Sequence, residues 1–360
     1  METPSCRNKA LIGRPKPSQL SENHQDTRDP ALTSRLSVRS ALLLWLLFAL
    51  ICFDLGYPIL NRYDPGAVPG TSDAAFYVDQ VTSPLTLSSF RPLVPALAKP
   101  FYWLANGRIS SWNPALFGML AATSILTAAT SVVIVVIGLR CRFSFATSLV
   151  AALLFLVNFA VPNWFLSAYV DSGEAFFLAL VAWSLLSARW WLLPVWAIPG
   201  TLAKETFAPF AILFAVVWWL SDRTHRTRRL AWIAGLALFS CATLLLSFSS
   251  PGALFSGTAH YAAFMGSKSH VPFLQALFRC LNAREVWYTF IWLLPLGLLG
   301  LKRIDRRWLW AAAAASLLAL LFGAYADAQG NVARPLFSIA GPLLSLAAAA
   351  LLTNSKSETA

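Results

Sequence analysis

An otherwise apolar chain carries a small set of side chains able to do proton and anion chemistry. Asp73 and Tyr77, in TSDAAFY, are four residues apart and so share one face of a short helix. Arg91 opens RPLVP, Asp171 and Glu174 stand three apart in AYVDSGEAFF, and Lys204 and Glu205 are adjacent in GTLAKETF. His260 lies in SGTAHYAAF and Arg334 in NVARPLF. A carboxylate can take a proton from a hydroxyl. Fixed cations can hold a departing anion, and arginine suits a phosphate through its two-pronged guanidinium.

Each residue also has a plainer explanation. Asp73 reads, taken alone, as the cap of its helix. Asp171 and Glu174 fall at a helix start, where the dipole favours carboxylates, although two acids beside Tyr169 exceed what a cap needs. Lys204 could pair with Glu205, or Thr201 and Glu205 could form a capping arrangement. Arg334 would by default snorkel toward the headgroups. His260 and His270 read as solvated loop residues with no zinc-site spacing. Asp79 is an ordinary solvated residue and Asp64, in YDPG, belongs to a turn. Asp54, in CFDLG, places a carboxylate inside an apolar segment and is a secondary candidate.

The elements that must position these groups follow from composition. Of 360 residues 57% are hydrophobic and 12% charged, against roughly 25% charged in soluble domains, and the mean hydropathy is +0.60. This composition defines a polytopic membrane protein. The formal charge of +12 arises from short basic clusters between apolar runs, which is topology rather than an interface for nucleic acid. Five cysteines show neither CxxC nor metal spacing, so no disulfide is expected.

Residues 1–39 are polar and aperiodic and read as a disordered cytoplasmic arm. Arg35 and Arg39 then abut an apolar run from Ser40, read as a retained anchor. Further runs long enough to cross about 30 Å of hydrocarbon lie near 115–138, 145–161, 173–188, 206–220, 230–248, 286–301, 308–323 and 335–353. Trp190–Pro199 is short and ends at Pro199–Gly200. Counted as a crossing, it brings the total to about ten spans and puts the clusters at Arg140, Arg189, 221–229 and 302–307 on the cytoplasmic side with both termini. The membrane domain is then 40–353, with outer loops 61–113 and 249–285 and a short tail, 354–360. The three prolines of Arg91–Pro100 argue against a regular spanning helix, so short interfacial helices are expected in the first outer loop. All the candidate residues fall on the outer side.

The order of these features resembles the GT-C class of integral-membrane glycosyltransferases, including bacterial relatives of the glycosylphosphatidylinositol mannosyltransferases. The features are an N-terminal span, D-x-x-x-Y at Asp73 and Tyr77, R-P-L-V-P from Arg91, an outer acid pair, the K-E-T break and a final R-P. The resemblance covers about Leu43 to Leu352. It implies an all-α bundle in a bacterial inner membrane that moves a sugar from a polyprenyl-phosphate donor to an acceptor hydroxyl. The first-loop acid, Asp73, would be the base. Arg91, Lys204 and Arg334 would hold the phosphate. Asp171 and Glu174 would orient the acceptor or, with Asp73, hold a divalent cation such as Mg or Mn through oxygen ligands. A transporter or lipid flippase, expected to show internal repeats and midplane charges, is the rival from another class, and an inert membrane scaffold is a third.

Overall fold

The computed structural model describes residues 36–61, 73–84, 91–109, 112–222, 226–248 and 271–353, all within one compact unit, Arg35–Ala360. Among them every regular element is helical. Five helices are long and apolar enough to cross a membrane: α1 (Val38–Asn61), α4 (Pro114–Arg140), α9 (Arg226–Phe248), α13 (Arg306–Tyr325) and α14 (Ala333–Thr353). Between them lie the shorter α2 (Asp73–Thr82), α3 (Leu93–Ala105), α5 (Phe145–Leu156), α6 (Asp171–Leu186), α7 (Leu193–Ala203) and α8 (Phe207–Ser221). The set is completed by α10 (Phe273–Leu281), α11 (Arg284–Phe290) and α12 (Leu293–Gly300).

Helices α4 and α14 form the centre. Their apolar windows are 72% and 78% buried, against 17% for α1 and 22% for α9 at the periphery. Some hydroxyls of a buried helix bond back to its own carbonyls. On α4, Thr123, Thr130 and Ser131 do so by donating to backbone carbonyls one turn earlier, at 2.9, 3.0 and 3.0 Å, although the Ser124 and Thr127 hydroxyls have no partner among the described residues. Small residues set the closest approaches. Gly297 and Gly300 of α12 lie against Leu344 and Ala347 of α14, where an added Cβ at Gly297 would come within 2.6 Å of Leu344.

Several expected boundaries differ from what forms. The run 145–161 ends as a helix at Leu156 and continues into a π-helical turn, Val161–Phe165. Asn158 stabilises this break. Its amide nitrogen donates to the Thr289 carbonyl and its oxygen accepts from the Ala160 N–H, both at 2.9 Å. The run 286–301 is two helices rather than one. Pro295 sits in the first turn of α12, where its ring would clash with the Ile291 carbonyl of a continuous helix. Residues 190–199 do not stop at Pro199–Gly200, because α7 runs through both to Ala203. Gly200 is there for packing, with the Phe207 ring 2.5 Å from where a Cβ would be. The proline-rich piece after Arg91 forms a regular 13-residue helix, α3, with Pro100 inside it. At about 20 Å it is too short to span.

The bundle has two distinct ends. At one, Thr147 meets Thr353 at 3.0 Å, the Arg303 guanidinium donates to the Ala350 carbonyl, Arg307 reaches Asp222 at 3.1 Å, and Arg229 lies 5.0 Å over the Trp190 ring. These contacts gather the starts of α5, α9 and α13 and the ends of α8 and α14. At the opposite end of α6, α7 and α14 lie Asp171, Lys204 and Arg334. Helix α7 returns antiparallel to α6, as shown by the Trp196 indole donating to Ser184 at 2.9 Å while Gly173 faces Ala203.

Candidate functional site

Lys204 ends α7 in extended backbone, φ −162° and ψ 133°. Successive side chains of an extended segment point to opposite sides. Lys204 therefore turns toward α6, while Glu205 turns away toward Arg91. The Lys204 ammonium donates to Asp171 Oδ1 at 2.7 Å and to Glu174 Oε2 at 3.0 Å. Both acids lie on one face of the first turn of α6 and are almost fully buried. The other Glu174 oxygen accepts the Thr206 hydroxyl. Gly173 allows this approach, since a Cβ there would come 2.9 Å from Ala203 and 3.2 Å from Val94.

Arg91 precedes α3 with φ 54°, left-handed backbone that is unusual for a residue with a side chain. Its guanidinium meets Glu205 side-on, Nε to Oε2 at 2.7 Å and Nη2 to Oε1 at 2.5 Å. Its remaining prong donates to the Tyr77 hydroxyl at 2.6 Å. Arg334, in the first turn of α14, sits 4.2 Å over the Tyr169 ring and 3.8 Å from Asp171 Oδ2. Three cations, Arg91, Lys204 and Arg334, and three carboxylates, Asp171, Glu174 and Glu205, thus form one buried cluster at one end of the bundle.

The structure brings together Tyr77, Arg91, Asp171, Glu174, Lys204, Glu205 and Arg334. Several plainer explanations fail. Lys204 does not pair with Glu205, and the Thr201 hydroxyl has no hydrogen-bond partner among the described residues, so the Thr201–Glu205 cap does not form. Helix α6 begins after Val170 with no side-chain cap, because its two acids face Lys204. Arg334 turns inward onto Tyr169 instead of snorkelling. Asp73 is the first residue of α2, one turn before Tyr77, and its side chain lies outside the described residues, as do His260 and His270 entirely. Asp54 and Asp79 are exposed. Sequence reasoning gave no role to Thr206 or Tyr169. The signal was their placement, two residues after Lys204 and two before Asp171.

A divalent cation does not fit the acid pair. The Lys204 ammonium stands between Asp171 and Glu174 where such an ion would have to sit. Among the described residues no group of three or more His, Cys, Asp or Glu side chains is arranged to hold a metal. Comparison with protein-family models, curated proteins and solved structures gives no match. Fold and composition define an all-helical membrane protein.

Proposed function

We propose that the charged cluster is the active centre of a GT-C-like glycosyltransferase that takes its sugar from a polyprenyl-phosphate donor. The observation that carries the reading is the convergence of six ionisable side chains from four separate segments into one buried cluster. Charges at such depth are costly and are kept for function or for pairing. The basic clusters at the opposite end would face the cytoplasm under the positive-inside bias, which puts the cluster extracytoplasmic and both termini inside, with about ten crossings once α5 to α8 and the α11–α12 pair are counted.

In this reaction Asp73 takes the proton of the acceptor hydroxyl as its oxygen attacks the anomeric carbon. The bond from that carbon to the donor phosphate breaks, and the phosphate leaves with the electron pair. Arg91 would serve as the cation beside the base, because it touches Tyr77, one helical turn from Asp73. Lys204 and Arg334 add positive charge behind it, while Asp171 and Glu174 fix the lysine. Direct displacement inverts the anomeric centre.

Transfer from a radiolabelled polyprenyl-phosphate sugar, measured in proteoliposomes, tests the reading. Asp73→Asn is expected to lower the rate by about 10²–10⁴-fold, the usual worth of a general base. Full transfer by a folded Asp73→Asn protein sinks the assignment. The transporter or flippase reading is favoured by one observation, that Lys204, Glu205 and Thr206 occupy the break between two short helices. It predicts lipid or solute movement across the vesicle membrane without bond cleavage.

A further inference from the structure

The three cations of the cluster are not equally committed. Lys204 is held by two carboxylates whose side chains are 3% and 0% exposed. Arg334 is placed between Asp171 and the Tyr169 ring. Arg91 and Arg334 are similarly exposed, at 14% and 15%, but the carboxylate on Arg91 is the accessible one: Glu205 is 17% exposed, against 3% for Asp171 and 0% for Glu174. The geometry of the Arg91–Glu205 pair is also distinctive. Two parallel N–H groups of a guanidinium on two oxygens of one anion is the arrangement by which arginine holds a phosphate as well as a carboxylate.

We propose that Glu205 occupies, in the resting protein, the seat on Arg91 that a guest phosphate takes, so that binding proceeds by exchange of carboxylate for phosphate. Given a phosphate-bearing lipid as the guest, as proposed above, the exchange is balanced in charge at Arg91, because one singly charged anion replaces another. The Tyr77 hydroxyl keeps the third prong in place throughout, so the guanidinium is already aimed. The same exchange unfastens the paired Arg91–Glu205 hydrogen bonds that tie Arg91, and through it Tyr77, to the α7–α8 junction. Glu205 is thereby a competitor that sets how tightly the seat binds and excludes weaker anions.

The test is the affinity of the full-length, detergent-purified chain for a short-chain polyprenyl methyl phosphate, a phosphodiester with the single charge of the proposed donor. Glu205→Gln is expected to bind about tenfold more tightly than wild type, the effect of removing a competitor worth one charge-assisted pair. Glu205→Asp, which keeps the charge on a shorter arm, should fall between the two and carries the test if the glutamine variant does not fold. Arg91→Gln should lose about tenfold or more. The sign is diagnostic, since damage to a merely structural ion pair weakens binding. Equal or weaker binding by both Glu205 variants overturns the exchange. So does an equal gain for the same polyprenol without phosphate. Inorganic phosphate showing the same ordering of variants supports recognition of the headgroup alone, whereas an ordering confined to the lipid form supports a seat for the lipid. If wild type binds and Glu205→Gln matches it, the exchange fails and the glycosyltransferase reading stands. If no folded variant binds, both fail.

Discussion

The two ends of this bundle both carry arginines and carboxylates, yet they handle them in opposite ways. At the basic end the cations outnumber the acids, and their exposure varies, from 18% for Arg229 to 40% for Arg307. Arg307 shares Asp222 with Arg229, and Arg303 spends its charge on a helix-terminal carbonyl. At the other end cations and carboxylates are matched three to three, with Lys204, Asp171 and Glu174 nearly dry, and are drawn from distant parts of the chain. A topology signal needs only charge in the right place. A binding or catalytic centre needs charge in a fixed geometry, and fixing it takes partners. The contrast teaches that burial with balanced partners, rather than the number of charges, separates the candidate site from the positive rim.

That contrast can be broken experimentally, beginning where the expected effect is largest. Lys204→Met leaves Asp171 and Glu174 buried without their cation and should cost roughly 3–5 kcal/mol of stability, as when one member of a buried ionic group is removed. Thermal unfolding in detergent measures it, and adding Asp171→Asn with Glu174→Gln should return a large part of the loss. A small effect of Lys204→Met alone would mean that the two ends are energetically alike. Asp222→Asn should cost only ~1 kcal/mol, because Arg307 is partly solvated and keeps Asp305 as a second partner, while Arg229 keeps its place over the Trp190 ring.

The smallest effect is a pH dependence at the basic end. Burial alone would raise the Asp305 carboxyl, but hydrogen bonds from the Arg307 side chain and backbone, with the Arg307 charge, hold it below the ordinary carboxylate range. A folded-state value below the unfolded one gives stability that is present above about pH 4 and is lost as pH falls through the folded value. The unfolding temperature of wild type should therefore decline on acidification below that point. Asp305→Asn should flatten that part of the curve slightly, and an unchanged slope would remove Asp305 from the account.

The long helices were legible in the sequence because length and apolarity alone set them, and α4, α9, α13 and α14 fall within a few residues of the expected runs. Their stops were harder to read. Helices α4, α6 and α13 are followed by Arg142, Ala188 and Asp327 in left-handed backbone, at φ 66°, 55° and 46°, where glycine is the usual marker. The turn is closed instead by paired bonds such as Phe143 N–H to the Gly138 carbonyl at 3.0 Å. For the site, residue types could be read, and most of those described do gather at one end of the bundle, whereas the partnerships could not. Lys204 and Glu205 are neighbours in sequence and turn to different partners, because the backbone there is extended. Arg91 finds Glu205 across 114 residues, a pairing that no local spacing encodes. Thr206 enters only because Glu174, once buried, needs an acceptor satisfied on its second oxygen.

The equal numbers of cations and carboxylates at the site have an electrical consequence. With all six ionised, the cluster has no net charge, so a membrane potential exerts no net force on it however deep it lies. An anion seated there without the loss of a carboxylate would change this, feeling up to about 2.3 kcal/mol per charge for each 100 mV, scaled by the fraction of the field it crosses. A resting site of this composition is indifferent to voltage, and its occupancy by an extra charge is not.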